Sequence, residues 1–310
     1  MSHQGSMAPL IAVMEINPKT TAWAEWRYPQ FFLPHLGEKR RLTYLMSRAL
    51  LLSSLQRYYT PKLNGLPDIA YNKHQKPYFL NAPFHFNLTH TEDAVAVIIL
   101  PHRTTHLEAH LEIQIETQIG RFETANFLPR GYYSDQNASL IGEKENIIGI
   151  DLESIQPRKS FAALLQRTFS PLEIAWILEP STPRPLNRIL HRIDLPASLT
   201  KAQQKRFFLL WSTKEAYLKA DGRGLQGLKS LEIDPIEQAL YGDLKAGKLY
   251  AGTRSFNNNI HSLALYLPQK SADHLTLTIL DVESEREIFF TETIKWDLIL
   301  SDMPKQHSSQ

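Results

Sequence analysis

The sequence predicts a chain of the α+β class, and two observations carry that expectation. Apolar residues recur at helical spacing over residues 37–59 and again over 201–219. Short apolar runs or period-two alternation mark strands at 94–100, 147–153, 263–267 and 275–279. With 310 residues, 43% of them hydrophobic and 21% charged, the chain has material for a sizeable core and is not globally disordered. It has no cysteine, which excludes disulfides, thiolate metal sites and thiol nucleophiles and fits a cytoplasmic setting. Thirty-four Lys and Arg against 32 Asp and Glu leave a net charge of +2, with no footprint for nucleic acid. The longest apolar run, 94–100, is too short to span a membrane, and no secretory leader is visible.

Each element has a local reason. Residues 1–7 read as an expression scar ahead of Met7. In 37–59, Leu42, Leu45, Met46, Ala49 and Leu50 recur at helical spacing, and Pro61 and Gly65-Leu-Pro67 end the segment. Within 101–146, Leu111, Ile113 and Ile115 alternate with polar residues and suggest one strand, whereas 120–146 reads as a long exposed loop. Ser170-Pro-Leu-Glu173 supplies an N-cap, a first-turn proline and a glutamate at the third position, so a helix starts there. Prolines break the pattern over 179–196; helical spacing resumes at Lys201 and stops at Gly222. Asn87-x-x-His90 and Asn258-x-x-His261 each precede an alternating strand, a weak internal echo.

Three clusters carry chemistry. In Gly149-Ile-Asp151-Leu-Glu153 the two carboxylates stand on one strand face, where they repel unless a cation lies between them. Mg2+ suits a pair of carboxylates plus phosphate oxygens, while the plain alternative is a strand end facing water. In Trp211-Ser-Thr-Lys214-Glu215-Ala-Tyr-Leu-Lys219, Glu215 and Lys219 share a helix face. They read either as a surface ion pair or, facing Asp151 and Glu153, as catalytic groups. The third cluster is Lys76-Pro-Tyr with Phe86-Asn-Leu-Thr89-His90, joined by Arg41 and Arg48 seven residues apart on one helix face. These residues could grip phosphate, or be a structural histidine and a solvated face.

Taken in order, these motifs make the chain resemble the 4'-phosphopantetheinyl transferases of the surfactin-synthetase-activating type, and the stretch from Leu66 to His90 is similar to bacterial holo-acyl-carrier-protein synthases. The resemblance covers roughly residues 40–99 and 147–233, with a fainter match in the C-terminal strands. It implies two similar lobes related by a pseudo-twofold axis, each a small antiparallel sheet packed on a long helix, with the site in the cleft. It also implies transfer of the 4'-phosphopantetheine arm of coenzyme A to a serine of an apo acyl or peptidyl carrier protein. On that likeness Asp151, Glu153 and Glu215 hold Mg2+, for which Mn2+ could substitute, and Glu215 and Lys219 are the catalytic pair. Arg41, Arg48, Lys76, Thr89 and His90 hold coenzyme A phosphates, with Asp151 and Lys219 at the pyrophosphate. The reaction itself is mostly positioning and charge neutralisation, which such groups supply.

The chain departs from the pattern in its long segment at 101–146, a second insertion at 179–196, and threonines at 89 and 91 where serines are common. We expect an N-terminal lobe over 8–148, a C-terminal lobe with the metal site over 149–300, a tail at 301–310, and a monomer without nucleic-acid or membrane partners. Rival readings are a coenzyme A-binding pseudoenzyme that docks carrier protein and a metal-dependent pyrophosphohydrolase.

Overall fold

The first strand, β1 (Leu10–Glu15), is buried on both faces: Ala12 and Met14 point one way, Ile11 and Val13 the other. A strand covered on both sides is a continuous apolar run, so this one carries no alternation signal in the sequence. The computed structural model describes residues 8–80, 82–101, 148–158, 160–179, 195–222, 224, 227–228, 231–242, 247–268 and 275–302. The expected strand at 111–115 and loop at 120–146, most of the 179–196 insertion, residues 1–7 and nearly all of the tail lie outside these.

After β1 come α1 (Pro18–Arg27), opened by an Asn17 capping box, and the 21-residue α2 (Glu38–Tyr58). A small hairpin, β2 (Ile69–Tyr71) and β3 (Pro77–Phe79), leads to β4 (Phe84–His90) and β5 (Ala94–Pro101). The second half opens with β6 (Gly149–Ser154), α3 (Phe161–Thr168) and α4 (Pro171–Leu178). Ser170 caps α4 with Glu173 reaching back, as its spelling predicts. A Thr200 capping box starts the 21-residue α5 (Lys201–Asp221), and Gly222 in the left-handed conformation ends it. The strands β7 (Glu232–Asp234), β8 (Ala239–Tyr241), β9 (Gly247–Phe256), β10 (Asn259–Pro268), β11 (Thr276–Glu283), β12 (Arg286–Thr293) and β13 (Leu298–Asp302) complete the chain.

These strands form two main sheets. The first runs β12-β11-β1-β5-β4, the second β6-β10-β9-β13-β8-β7. Helix α2 covers the outer face of the first, where Leu45, Met46, Ala49 and Leu50 pack with Met14, Val95, Val97 and Ile99. The opposite face, with Ile11, Val13, Ala96 and Ile98, meets Ile150, Leu152, Leu263 and Leu265 of the second sheet. Helix α5 covers the far side of that second sheet, packing Phe207, Leu210 and Tyr217 with Leu249, Ala264 and Tyr266. The order of layers is helix, sheet, sheet, helix.

The α+β class and the pairing of each sheet with a long helix agree with expectation. Two details differ. Each sheet contains one parallel pair, β1 with β11 and β13 with β8, so neither is purely antiparallel. The chain also returns: β11 and β12 belong to the first sheet, so a boundary at 148/149 does not separate the two sheets. No described helix is long and apolar enough to cross a membrane.

Candidate active site

Alternation along β6 builds one wall. Ile150 and Leu152 enter the core between the sheets, so Gly149, Asp151 and Glu153 face α5. Close approach of helix and strand depends on Gly149. A Cβ there would sit 1.9 Å from the Ala216 carbonyl oxygen. Helix α5 supplies the other wall, since Trp211, Glu215 and Lys219 are spaced four apart and share a face.

The two elements meet end to end. Lys219 Nζ donates to Asp151 Oδ1 at 2.5 Å, and Trp211 Nε1 donates to Glu153 Oε1 at 3.2 Å. Glu215 lies between these contacts along the helix. The surface-pair reading of Glu215 and Lys219 therefore fails, because the Lys219 ion pair goes to Asp151, only 3% exposed. Ser212 and Thr213 are buried mid-helix: Ser212 Oγ meets Ser262 Oγ at 2.6 Å, and Thr213 Oγ1 donates to the Leu209 carbonyl.

Strand β4, the edge of the first sheet, closes the site. Asn87 Oδ1 accepts from Ile150 N at 3.0 Å and Thr89 Oγ1 from Leu152 N at 3.2 Å. The outer edge of β6 would otherwise present buried, unpaired N–H groups, and these side chains substitute for a neighbouring strand. The same Thr89 hydroxyl donates to Asp151 Oδ1 at 3.3 Å and accepts from Lys219 Nζ at 3.2 Å. Thr89, Asp151 and Lys219, from two sheets and a helix, form one polar knot.

Electrostatics follow from this crowding. Burial, then the Asp151 and Glu153 charges, push the Glu215 carboxyl up to about 7, against the opposing pull of Lys219. Burial and Asp151 also raise Glu153, opposed by Arg158, the Trp211 hydrogen bond and Lys219. His90, next to Thr89 but exposed, is lowered by desolvation of its ring, then by the ammonium groups of Lys219 and Lys39.

The donor set fits a divalent cation. Among the described residues Asp151 Oδ2 is buried without a hydrogen-bond partner, and a carboxylate oxygen of this kind calls for a cation or water. Asp151 raises both neighbouring glutamates, a penalty that a cation would relieve. The three are not drawn into a closed cage: among the described residues no group of three His, Asp or Glu side chains is already set to hold a metal. Asp151 instead rests on Lys219.

Other expected residues lie apart from the knot. Arg41 stacks over the Phe32 ring at 4.9 Å, and the buried Arg48 over Tyr44 at 5.0 Å. Among the described residues neither forms a hydrogen bond or ion pair with the Asp151 cluster. Lys76 Nζ donates to the carbonyls of Ile148 at 3.2 Å and Ala220 at 2.5 Å, joining the β2–β3 hairpin to the C-terminal end of α5, where cations are favoured. Asn87 was not among the expected site residues. Its only sequence signal is its place in Phe-Asn-Leu-Thr-His, where each second residue faces β6.

Comparison with known proteins bears on this region. Residues 147–254 match the family model of the 4'-phosphopantetheinyl transferase superfamily. The 4'-phosphopantetheinyl transferase HetI of Nostoc sp. strain PCC 7120 is 38% identical over 95 residues, 30% of this chain and 32% of that protein. Slr0495 of Synechocystis sp. strain PCC 6803, named as a candidate 4'-phosphopantetheinyl transferase, is 32% identical over 92 residues, 29% of this chain and 30% of that protein. The match thus spans about a third of the length of each of these curated relatives. Residues 147–254, which carry Asp151, Glu153, Glu215 and Lys219, are thus similar to the 4'-phosphopantetheinyl transferase superfamily.

Proposed function

We propose that this chain transfers the 4'-phosphopantetheine arm of coenzyme A to a serine hydroxyl of an apo acyl or peptidyl carrier protein, with Mg2+, releasing adenosine 3',5'-bisphosphate. The observation that carries the reading is the meeting of two faces, Asp151 and Glu153 on β6 against Trp211, Glu215 and Lys219 on α5, joined by the 2.5 Å contact of Lys219 with Asp151 and the 3.2 Å contact of Trp211 with Glu153. The serine proton passes to Glu215 as the serine oxygen bonds to the phosphorus carrying the pantetheine arm and the bond to the departing bisphosphate breaks. Lys219, a third exposed, turns from Asp151 toward the pyrophosphate and neutralises charge on the leaving group. Asp151, Glu153 and Glu215 would hold the divalent cation, which supplies charge stabilisation at the phosphoryl oxygens. His90, exposed beside Thr89, donates a hydrogen bond to a coenzyme A phosphate, and Arg41, Arg48 and Lys76 belong to the same binding surface.

The reading extends to two lobes related by a pseudo-twofold axis, a monomer, and a cytoplasmic setting. The test is to incubate the protein with apo carrier protein, coenzyme A and Mg2+ and weigh the carrier. A mass gain of one phosphopantetheine unit is expected, and none with Asp151→Ala of unchanged fold. Free bisphosphate without that gain would point to a pyrophosphohydrolase, and coenzyme A binding without either product to a non-catalytic docking protein.

A further inference from the structure

The face of α5 that meets β6 holds a carboxylate at each end. At one end Lys219 pairs with Asp151; at the other the Trp211 indole donates to Glu153 Oε1 at 3.2 Å. The indole is fixed in place. It stacks on Phe207 at 5.9 Å with planes 15° apart, and Phe207, 1% exposed, is wedged among Phe161, Phe169 and Phe208. The second oxygen, Oε2, accepts from Arg158 Nη2 at 3.1 Å, and that guanidinium lies over the Phe208 ring at 5.4 Å. The Arg158 side chain is 42% exposed against 24% for Glu153, so the ion pair sits at the rim. One donor on each oxygen still leaves acceptor positions, because a carboxylate offers about four.

We propose that Trp211 and Arg158 are positioning residues that act through Glu153. The rigid Trp211 N–H sets the orientation of the carboxylate beside Asp151 and Glu215, and Arg158 balances its charge until a divalent cation takes over. Both roles presuppose that these three carboxylates hold a cation, the reading proposed above. They differ in kind: the indole is locked by aromatic packing and stays, whereas an exposed guanidinium gives up little on leaving.

The test measures Mn2+ binding to the full chain without coenzyme A, by loss of the free-ion paramagnetic resonance signal. Trp211→Phe keeps an aromatic ring beside Phe207 and removes the N–H together with part of the indole. Its Kd is expected to rise about tenfold or more, the scale seen when a group orienting a metal ligand is lost. The metal-free protein should still melt cooperatively, lowered only by the lost ring packing, so the fall in affinity is not one of unfolding. Arg158→Gln should tighten Mn2+ binding, by up to roughly fivefold on the scale of an exposed ion pair. It lies at an exposed position and keeps the test open should Trp211→Phe fail to fold. Unchanged Mn2+ affinity in a folded Trp211→Phe protein, or equal or weaker binding by Arg158→Gln, would overturn the proposal. Asp151→Asn separates the two levels. If it abolishes Mn2+ binding while the other variants bind like wild type, only the positioning roles fail. If it binds like wild type, the cation site itself is wrong.

Discussion

Glu215 shows how a single carboxyl couples chemistry to stability. Its ordinary value of 4.5 is raised to about 7 in the fold, by burial first and by Asp151 next. Between those values the folded chain keeps a proton that the unfolded chain has released, so stability is present in full below pH 4.5 and falls as pH rises through 7. Glutamine has no charge to bury. In metal-free protein, Glu215→Gln should gain on the order of 2 kcal/mol at pH 8 and almost nothing at pH 4.5, read from urea unfolding at both. An equal gain at both values would mean that the effect is packing and not charge. The variant should also lose transfer, for want of a proton acceptor. Asp151 differs, because repulsion within β6 is only half of its surroundings. From the sequence, its removal relieves repulsion with Glu153; in the fold it also strips Lys219 of its partner at 2.5 Å and Thr89 of an acceptor, so that relief is opposed.

At the scale of elements, the site depends on how closely α5 lies on β6. Gly149 is where that distance is set. A methyl group there would meet backbone at Ala216 and at Ala220 N, 2.9 Å away, and backbone cannot step aside as a side-chain tip can. Gly149→Ala should push helix and strand apart, costing about 3 kcal/mol or more, the upper end of overpacking penalties. A lowered urea midpoint together with lost Mn2+ binding would show both consequences, and a wild-type midpoint would contradict the close approach. The motif Gly-Ile-Asp-Leu-Glu made β6 and its carboxylate face legible, because period two needs no tertiary information. Helices α2 and α5 were legible through helical spacing, and α4 through its cap. The spelling Ser-Pro-Leu-Glu, however, holds a second role. Glu173, fully buried, caps α4, accepts from Ile233 N at 2.8 Å and pairs with the buried Lys214 at 2.8 Å. No local pattern announces a partner 41 residues away. The edge-capping by Asn87 and Thr89 was hidden for the same reason, since it exists only once two sheet edges lie side by side. Gly222 belongs with these. Its left-handed φ of +82° ends α5 as the sequence suggests, yet its neighbours are Asn72, His74 and Lys76 of the hairpin, a contact legible only in the fold.

The matched segment 147–254 is not a self-sufficient body, and this shapes the behaviour of the whole molecule. Within the second sheet, β10 lies between β6 and β9, so among the described strands the carboxylate strand joins its own sheet through residues 259–268. The C-terminal strands are shared more widely still. Strand β11 pairs in parallel with β1 and buries Leu277, Leu280 and Val282, while β13 is inserted between β9 and β8. On the first sheet, Glu287 of β12 accepts from Tyr28 at 3.2 Å and from Ser53 at 3.1 Å, tying the last hairpin to α1 and α2. A parallel pairing between the first strand and one more than 260 residues later has no local signature, and this is why a division into consecutive lobes at 148/149 looked natural in the sequence. A chain ended after Pro268 would lose two strands from the first sheet and a central one from the second. Several fully buried side chains would then face water, at roughly 1.5–3 kcal/mol each, more than a typical margin of 5–15 kcal/mol can absorb. We expect that truncated chain to lose its cooperative thermal transition and to bind a hydrophobic dye, even though every proposed catalytic residue remains. A sharp melt with native near-ultraviolet circular dichroism would instead show that the two sheets hold without their shared strands, and that the order of layers does not bind the halves into one cooperative unit.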